Sequence, residues 1–201
     1  MRIKQPLDDL FSNPNNVRIL RRLVLYPSPV ITGRGLAREM GMSHATCIRA
    51  LNNLVDIGIV TRRTVGRSST YDILSDSVIY KAILGPAFKF EAGLLDSLVV
   101  TLLKGIKGKV LAIYLFGSVA RGEDTPYSDV DILLVLRDPW EKTQVEKALN
   151  RNREAAYRLF RVGVNAITYN KSEFDRMKEK DHPLMAEIIR EGVLLSGKGI
   201  L

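Results

Sequence analysis

Residues 110–136, VLAIYLFGSVARGEDTPYSDVDILLVL, constrain the fold more than any other stretch of the chain. Val110–Phe116 is a continuous apolar run of strand formers, Gly117-Ser118 breaks it, Val119–Gly122 begins a short helix, and Val130–Leu136 is a second apolar strand. Strands that are apolar without alternation are buried on both faces, so helices must cover the sheet and the expected class is α/β (α+β). Gly117 lets the backbone approach a phosphate closely, and the helix after it presents free N–H groups to the same place. Asp129 and Asp131 stand two residues apart at strand spacing, which puts both carboxylates on one face. Side by side they repel unless a cation lies between them, and a hard ion such as magnesium, bridging to nucleotide phosphates, resolves that repulsion.

The chain has 201 residues, enough for two small domains that each bury a core without disulfides or metals. With 46% hydrophobic and 26% charged residues, its composition is that of a globular protein, neither disordered nor collagenous. Apolar runs such as Ile132–Leu136 fall far below the roughly 18 residues of a membrane span, so no transmembrane helix and no membrane partner are expected. Asp8 and Asp9 interrupt the start before a hydrophobic region could form, so no secretory signal is expected either. The single cysteine, Cys47, can form neither an internal disulfide nor a cysteine zinc site, which fits a cytoplasmic protein. His44 and His182 lack ligand spacing, and no zinc site is expected.

Charge divides unevenly. Residues 1–90 hold 13 Lys+Arg against 6 Asp+Glu, net +7, whereas residues 91–201 hold 17 against 16, net +1. A small basic N-terminal domain is an electrostatic candidate for nucleic acid. Within it, Val17, Leu20, Leu23 and Val24 recur at helical spacing, and Pro27 and Pro29 stop that helix. Thr32 caps a second helix, with Leu36, Ala37 and Met40 inward, which ends at Gly41. Ser43 caps a third, in which Cys47, Ala50, Leu51 and Leu54 face the core. Ile59–Val65 and Ser68–Ile73 then read as two strands around Gly66-Arg67. Three helices and a basic hairpin make a winged helix-turn-helix.

The stretch LAREMGMSHATCIRALNNLVDIGIVTRRTVGRSSTYDI resembles winged-helix regulators of the MarR and ArsR kind, over roughly residues 16–74. That resemblance implies duplex DNA as partner, with Ser43, His44, Ala45, Ile48, Arg49 and Asn52 on or beside the outward face of the recognition helix and Arg62, Arg63 and Arg67 on the wing. The alternative is a winged helix used only for dimerisation or protein contact, its arginines a solvated face. After residue 75, Val78, Ile79, Ala82 and Ile83 predict a short helix ending at Gly85-Pro86, and Leu94–Leu102 a longer one. The apolar faces over 78–104 point to a homodimer. Trp140 is expected to cap a helix over Glu141–Phe160, whose Arg151, Arg153, Arg158 and Arg161 are expected to pair with carboxylates such as Glu146 and Glu154.

Gly117-Ser118, Ala120-Arg121-Gly122 and Ser128-Asp129-x-Asp131 resemble the signature of the polymerase β nucleotidyltransferase superfamily, in its minimal nucleotidyltransferase branch, over roughly residues 108–198. The resemblance implies magnesium and an NTP, with ATP the expected one, bound through Gly117, Ser118, Arg121 and Ser128, with Asp129 and Asp131 as metal ligands. It also implies transfer of a nucleoside monophosphate to a hydroxyl, and a HEPN-type toxin protein as partner in an antitoxin role. The family's third carboxylate falls at Asn165 in VGVNAITYNKSEFDRM. An amide brings no charge and cannot accept a proton, so either catalysis survives weakened or the domain serves as a nucleotide sensor or partner-binding module. Glu173 and Asp175 are read instead as first-turn acids behind an Asn170 cap. The expected organisation is a DNA-binding domain at 1–75, a helical connector at 76–107 and a nucleotidyltransferase-like domain at 108–201.

Overall fold

The computed structural model describes residues 3–28, 30–180 and 182–200. The chain divides into two compact units, Met1–Gly93 and Leu94–Leu201, so that the stretch 76–107 is shared between them. Among the described residues no helix is long and apolar enough to cross a membrane.

The first unit contains α1 (Pro6–Phe11), α2 (Pro14–Leu25), α3 (Gly33–Glu39) and α4 (His44–Ile57), followed by an antiparallel hairpin of β1 (Val60–Val65) and β2 (Ser68–Ile73). The Thr32 hydroxyl accepts from Gly35 N and the Ser43 hydroxyl from Thr46 N, so both expected caps form. Gly58, at φ +83, closes α4 in the left-handed conformation that only glycine takes cheaply. Leu20, Leu23, Leu36, Cys47, Leu51 and Leu54 form its core. Burial raises the Cys47 thiol pKa and keeps it inert. Helix α1, at the chain start, adds buried Leu10 to that core and was not expected. Tyr26 ends α2, as Pro27 requires, while Pro29 lies outside the described residues.

One expected helix boundary is wrong. The helix beginning near Val78 does not stop at Gly85-Pro86 but continues through a wide π turn, Tyr80–Leu84, into α5 (Gly85–Ala92). Pro86 has no N–H to offer and its ring would crowd a regular α turn. The π turn removes that conflict, because Gly85 N donates to Tyr80 O one residue farther back than an α-helix allows.

The second unit begins with α6 (Leu94–Leu102), then β3 (Val110–Phe116), the five-residue α7 (Gly117–Arg121), β4 (Val130–Leu136), α8 (Lys142–Phe160), β5 (Val164–Asn170), α9 (Lys171–Glu179), α10 (Pro183–Glu191) and β6 (Val193–Gly197). The sheet order is β5-β4-β3-β6, with β4 and β5 parallel and the other pairs antiparallel. Alternate residues of the two central strands separate two cores. Ile113, Leu115, Ile132 and Leu134 pack with Leu98, Leu102, Val145 and Leu149 from α6 and α8, while Tyr114, Phe116, Leu133 and Val135 pack with Phe174, Met185 and Ile188 from α9 and α10. Helices therefore cover both faces, as the unalternating strands require. Helix α8 starts one residue later than expected, and Asp138 rather than Trp140 caps the turn before it; the Trp140 side chain is exposed.

The turn from β5 into α9 forms a complete capping box between Asn170 and Glu173, and Lys142 Nζ donates to the Glu173 carboxylate at 2.9 Å. The lysine hydrogen bond, seconded by the Asn170 backbone, holds the Glu173 carboxyl below its ordinary pKa of 4.5. A carboxyl depressed in the folded state contributes stability that is complete above the unfolded value and is lost as pH falls through the folded one. Melting temperature is therefore expected to fall on acidification below about pH 4.5, with a shallower slope in Glu173→Gln, as read by circular dichroism across a pH series.

Candidate functional site

The carboxylate pair lies where β3 ends and β4 and β5 begin. Asp131 is the second residue of β4, opposite Phe116 on one side and in register with Asn165 on the other. Asp129 precedes the strand by one residue, as the expected bounds Val130–Leu136 imply, and Val130 N donates to Gly163 O and draws this end of the chain against the start of β5. Asn165 Nδ2 then donates to Asp131 Oδ1 at 3.0 Å and to Asp129 Oδ2 at 3.3 Å. Ionised carboxylates only accept, so the amide nitrogen faces them and its oxygen faces away. The three residues that the sequence separates by 36 positions meet as one cluster, with an amide bridging two anions.

Two glycines make room for it. A Cβ at Gly117 would stand 2.5 Å from Asp131 Oδ2, and Gly117 also holds φ +73, where other residues are strained. A Cβ at Gly163 would overlap Asp129 Oδ1 outright, although Gly163 itself is not in the left-handed region. Gly117 was legible from its motif, whereas Gly163 carries no sequence signal because only the β4–β5 register brings it under Asp129.

The remaining residues expected at a phosphate divide into free and engaged. Ser118 lies half-buried in the first turn of α7, whose leading N–H groups have no partner within the helix. Ser128 turns its hydroxyl back onto Thr125, accepting from Thr125 N at 2.9 Å. Arg121 is held by three carboxylates, at 2.8 Å from Glu123, 2.5 Å from Glu191 and 3.6 Å from Glu187. Hydrogen bonds that the arginine donates to Glu123 and then to Glu191 raise its pKa further, against desolvation. Desolvation works to raise Glu191, yet Arg121 outweighs it and holds the carboxyl below its ordinary value. The two glutamates from α10 have no motif signal that would have marked them.

Two carboxylates meet the requirement for one magnesium ion, which is bound through one or two protein carboxylates plus substrate phosphates. Among the described residues no group of three or more His, Cys, Asp or Glu is placed to hold a metal, so a second ion with its own set of acids has no match here. The cradle left by Gly117 and Gly163 fits the first case.

In the N-terminal unit, Ser43, His44, Ala45, Arg49 and Asn52 are exposed along the start and middle of α4, while Ile48, expected outward, is half-buried against the core and close to Gly33. Arg62 and Arg63 are exposed on β1 and Arg67 on the hairpin turn. As strand neighbours, Arg62 and Arg63 point to opposite faces of the wing, so the three arginines do not converge on one spot. Arg67 and His44 do share a cleft of about 370 Å³ with Arg34 of α3. Sequence reasoning missed Arg34, which lies one helix earlier.

Comparison with known proteins bears on the C-terminal unit first, through a match over residues 99–191. The matching model is that of a nucleotidyltransferase domain. Among solved structures, a toxin-antitoxin complex with AMP-PNP is 20% identical, covering 51% of this chain and 73% of that one with a TM-score of 0.38. A variant of the MntA-HpeT toxin-antitoxin is 17% identical over 51% and 73%, with a TM-score of 0.36. MepR, a transcription regulator of the Staphylococcus aureus multidrug efflux pump MepA, is 17% identical over 52% and 75%, with a TM-score of 0.40. A search of curated proteins returned no match.

Because the backbone at Gly163 suits any residue, alanine there would ordinarily be mildly stabilising through the unfolded state. Overlap with Asp129 reverses the sign, and Gly163→Ala is expected to cost about 1–3 kcal/mol. Most of that cost should vanish in an Asp129→Ala background, as measured by urea unfolding of the four proteins of the cycle.

Proposed function

We propose that the nucleotidyltransferase domain binds a nucleoside triphosphate with magnesium at Asp129 and Asp131 and transfers its nucleoside monophosphate to a hydroxyl only weakly, while the N-terminal unit holds the protein on duplex DNA. The observation that carries this reading is the Asn165 amide, hydrogen-bonded to both carboxylates at the position of the family's third acid.

Magnesium, held by Asp129 and Asp131, would neutralise charge on the triphosphate oxygens. The leading N–H groups of α7 offer the same anion neutral donors. In the transfer, the acceptor oxygen bonds to the α-phosphorus, the bond from that phosphorus to the bridging oxygen breaks, and pyrophosphate leaves with the electron pair. The acceptor's proton passes to solvent, since Asn165 cannot take it. Binding thus needs only what the chain has, whereas turnover lacks a base and an anionic ligand beside the nucleophile.

Calorimetry is expected to detect magnesium-dependent ATP binding that Asp129→Asn or Asp131→Asn abolishes. Asn165→Asp is expected to raise label transfer from radioactive NTP by tenfold or more, a barrier change of about 1.4 kcal/mol per factor of ten. Fast wild-type transfer that Asn165→Asp leaves unchanged would sink the weakened-enzyme reading.

For the N-terminal unit, the net charge of +7 over residues 1–90 and the exposed α4 and wing residues support DNA binding. Replacing Arg62, Arg63 and Arg67 together by alanine in the full chain is expected to weaken duplex binding on every sequence and to flatten its salt dependence. Arg49→Ala or Asn52→Ala should instead relax base preference, as read by fluorescence anisotropy over a salt series.

A further inference from the structure

Charge on the helices of the second unit is left unmatched in two places. On α8, Glu146 accepts from the Thr168 hydroxyl instead of pairing with an arginine, and among the described residues Arg151, Arg153, Arg158 and Arg161 have no carboxylate within ion-pair distance. On α6 and the turn after it, Asp96 and Lys104 likewise have no opposite charge within that distance. The α8 cations are of one sign and accept any anion. The α6 pair carries both signs at a fixed spacing, which selects its partner.

The inner face of α6 belongs to the core, where Leu98, Val99 and Leu102 are buried. Its outer stripe is Asp96, Val100 and Lys104, each four residues from the next and therefore on one side of the helix. Leu103 N donates to Val99 O and carries the helical turn past Leu102. Asn152 of α8 then donates to the carbonyls of Leu102 and Lys104 at 2.8 and 2.9 Å, which fixes this last turn before Gly105 ends it at φ +78. Between the two charges the surface is apolar: Val100 is 70% exposed, and Leu159 of α8 is 72% exposed. Both line a cleft of about 840 Å³, together with Ala155 of α8, Leu195 of β6 and the two charged residues themselves. An acid in the first turn and a base past the last also suit the dipole of α6 itself. That accounts for the signs of the charges but not for the exposed apolar surface they enclose.

We propose that this face is the contact between two copies of the chain, with α6 laid antiparallel against the same helix of the partner about a twofold axis at Val100. The stripe is symmetric about that residue, since Asp96 and Lys104 each lie about 6 Å from it along the helix at 1.5 Å per residue. In a twofold contact residue i meets j while j meets i. Asp96 therefore meets the partner's Lys104 as Lys104 meets the partner's Asp96, Val100 meets its own copy, and Leu159 extends the apolar contact on the flank. Opposed helix dipoles add to the attraction. A parallel arrangement would set like charges together, and a wholly acidic or wholly basic partner would bring like charge to one end of the stripe. The contact needs neither nucleotide nor DNA, so it fails or holds independently of the function proposed above.

Sedimentation velocity of the full chain over a wide concentration range is expected to show a reversible monomer–dimer equilibrium. Val100→Lys, which sets two like charges on the axis, should weaken it tenfold or more. Asp96→Lys and Lys104→Glu should each do the same, because either change makes two like-charged pairs. The double reversal Asp96→Lys/Lys104→Glu should restore the dimer. So should a mixture of the two single variants, since a mixed pair holds only opposite-charge contacts. Circular-dichroism spectra should be unchanged throughout, as these exposed positions support neither core. A wild-type chain that stays single at every concentration overturns the proposal and leaves the cleft to a different protein. A dimer indifferent to all three single variants also overturns it, because the copies then meet through another surface. Loss of the dimer that neither the double reversal nor the mixture restores overturns the antiparallel arrangement.

Discussion

The parallel pairing of β4 with β5 is the constraint on which the second unit depends. It sets Asp131 beside Asn165, draws Asp129 over Gly163 through the Val130 to Gly163 hydrogen bond, and makes the edge of the sheet a site. Parallel neighbours cannot be joined by a tight turn. The connection must cross the sheet face, and α8, with Val145, Leu149 and Ala156 buried beneath it, is that crossover. The helix that the topology demands is thus also the one whose Arg153 and Arg158 stand near Gly163 and Val164 at the start of β5.

Electrostatics at the two ends of this layer are arranged differently. At the end of α7, Arg121 is tied to α10 through Glu191 and Glu187, and at the other end of β4 and β5, Lys142 is tied to α9 through Glu173. Such pairs fasten helices to the sheet's margin, although at this exposure each stabilises modestly. On the α8 side the arginines stand without carboxylates. A charge that has no internal partner costs nothing while hydrated and is available to an external anion.

How far the sequence discloses this arrangement depends on the range of the interaction involved. The bounds of β3 and β4 and the caps at Thr32, Ser43 and Asn170 are local consequences of residue type and were legible. So was the meeting of Asp129, Asp131 and Asn165, though only through a motif. Interactions set by packing were not. Ile48 has helical neighbours that place it outward, yet α3 leans close enough at Gly33 to cover it. Pro86 signals a stop, which a π turn circumvents. The α8 arginines have acids at the right spacing, but Glu146 is taken by Thr168 on the adjacent strand.

Asn165 sits at an exposed position of an edge strand, where it touches the cluster but not either core. Gly117 and Gly163 have no such latitude, because any side chain there collides with a carboxylate. Mutational drift over this domain is therefore lopsided. Two positions tolerate no change without losing the site, while a third can exchange amide for acid with the scaffold untouched. Amide and acid at position 165 stand one base change apart, and neither hydrophobic core touches the side chain that differs.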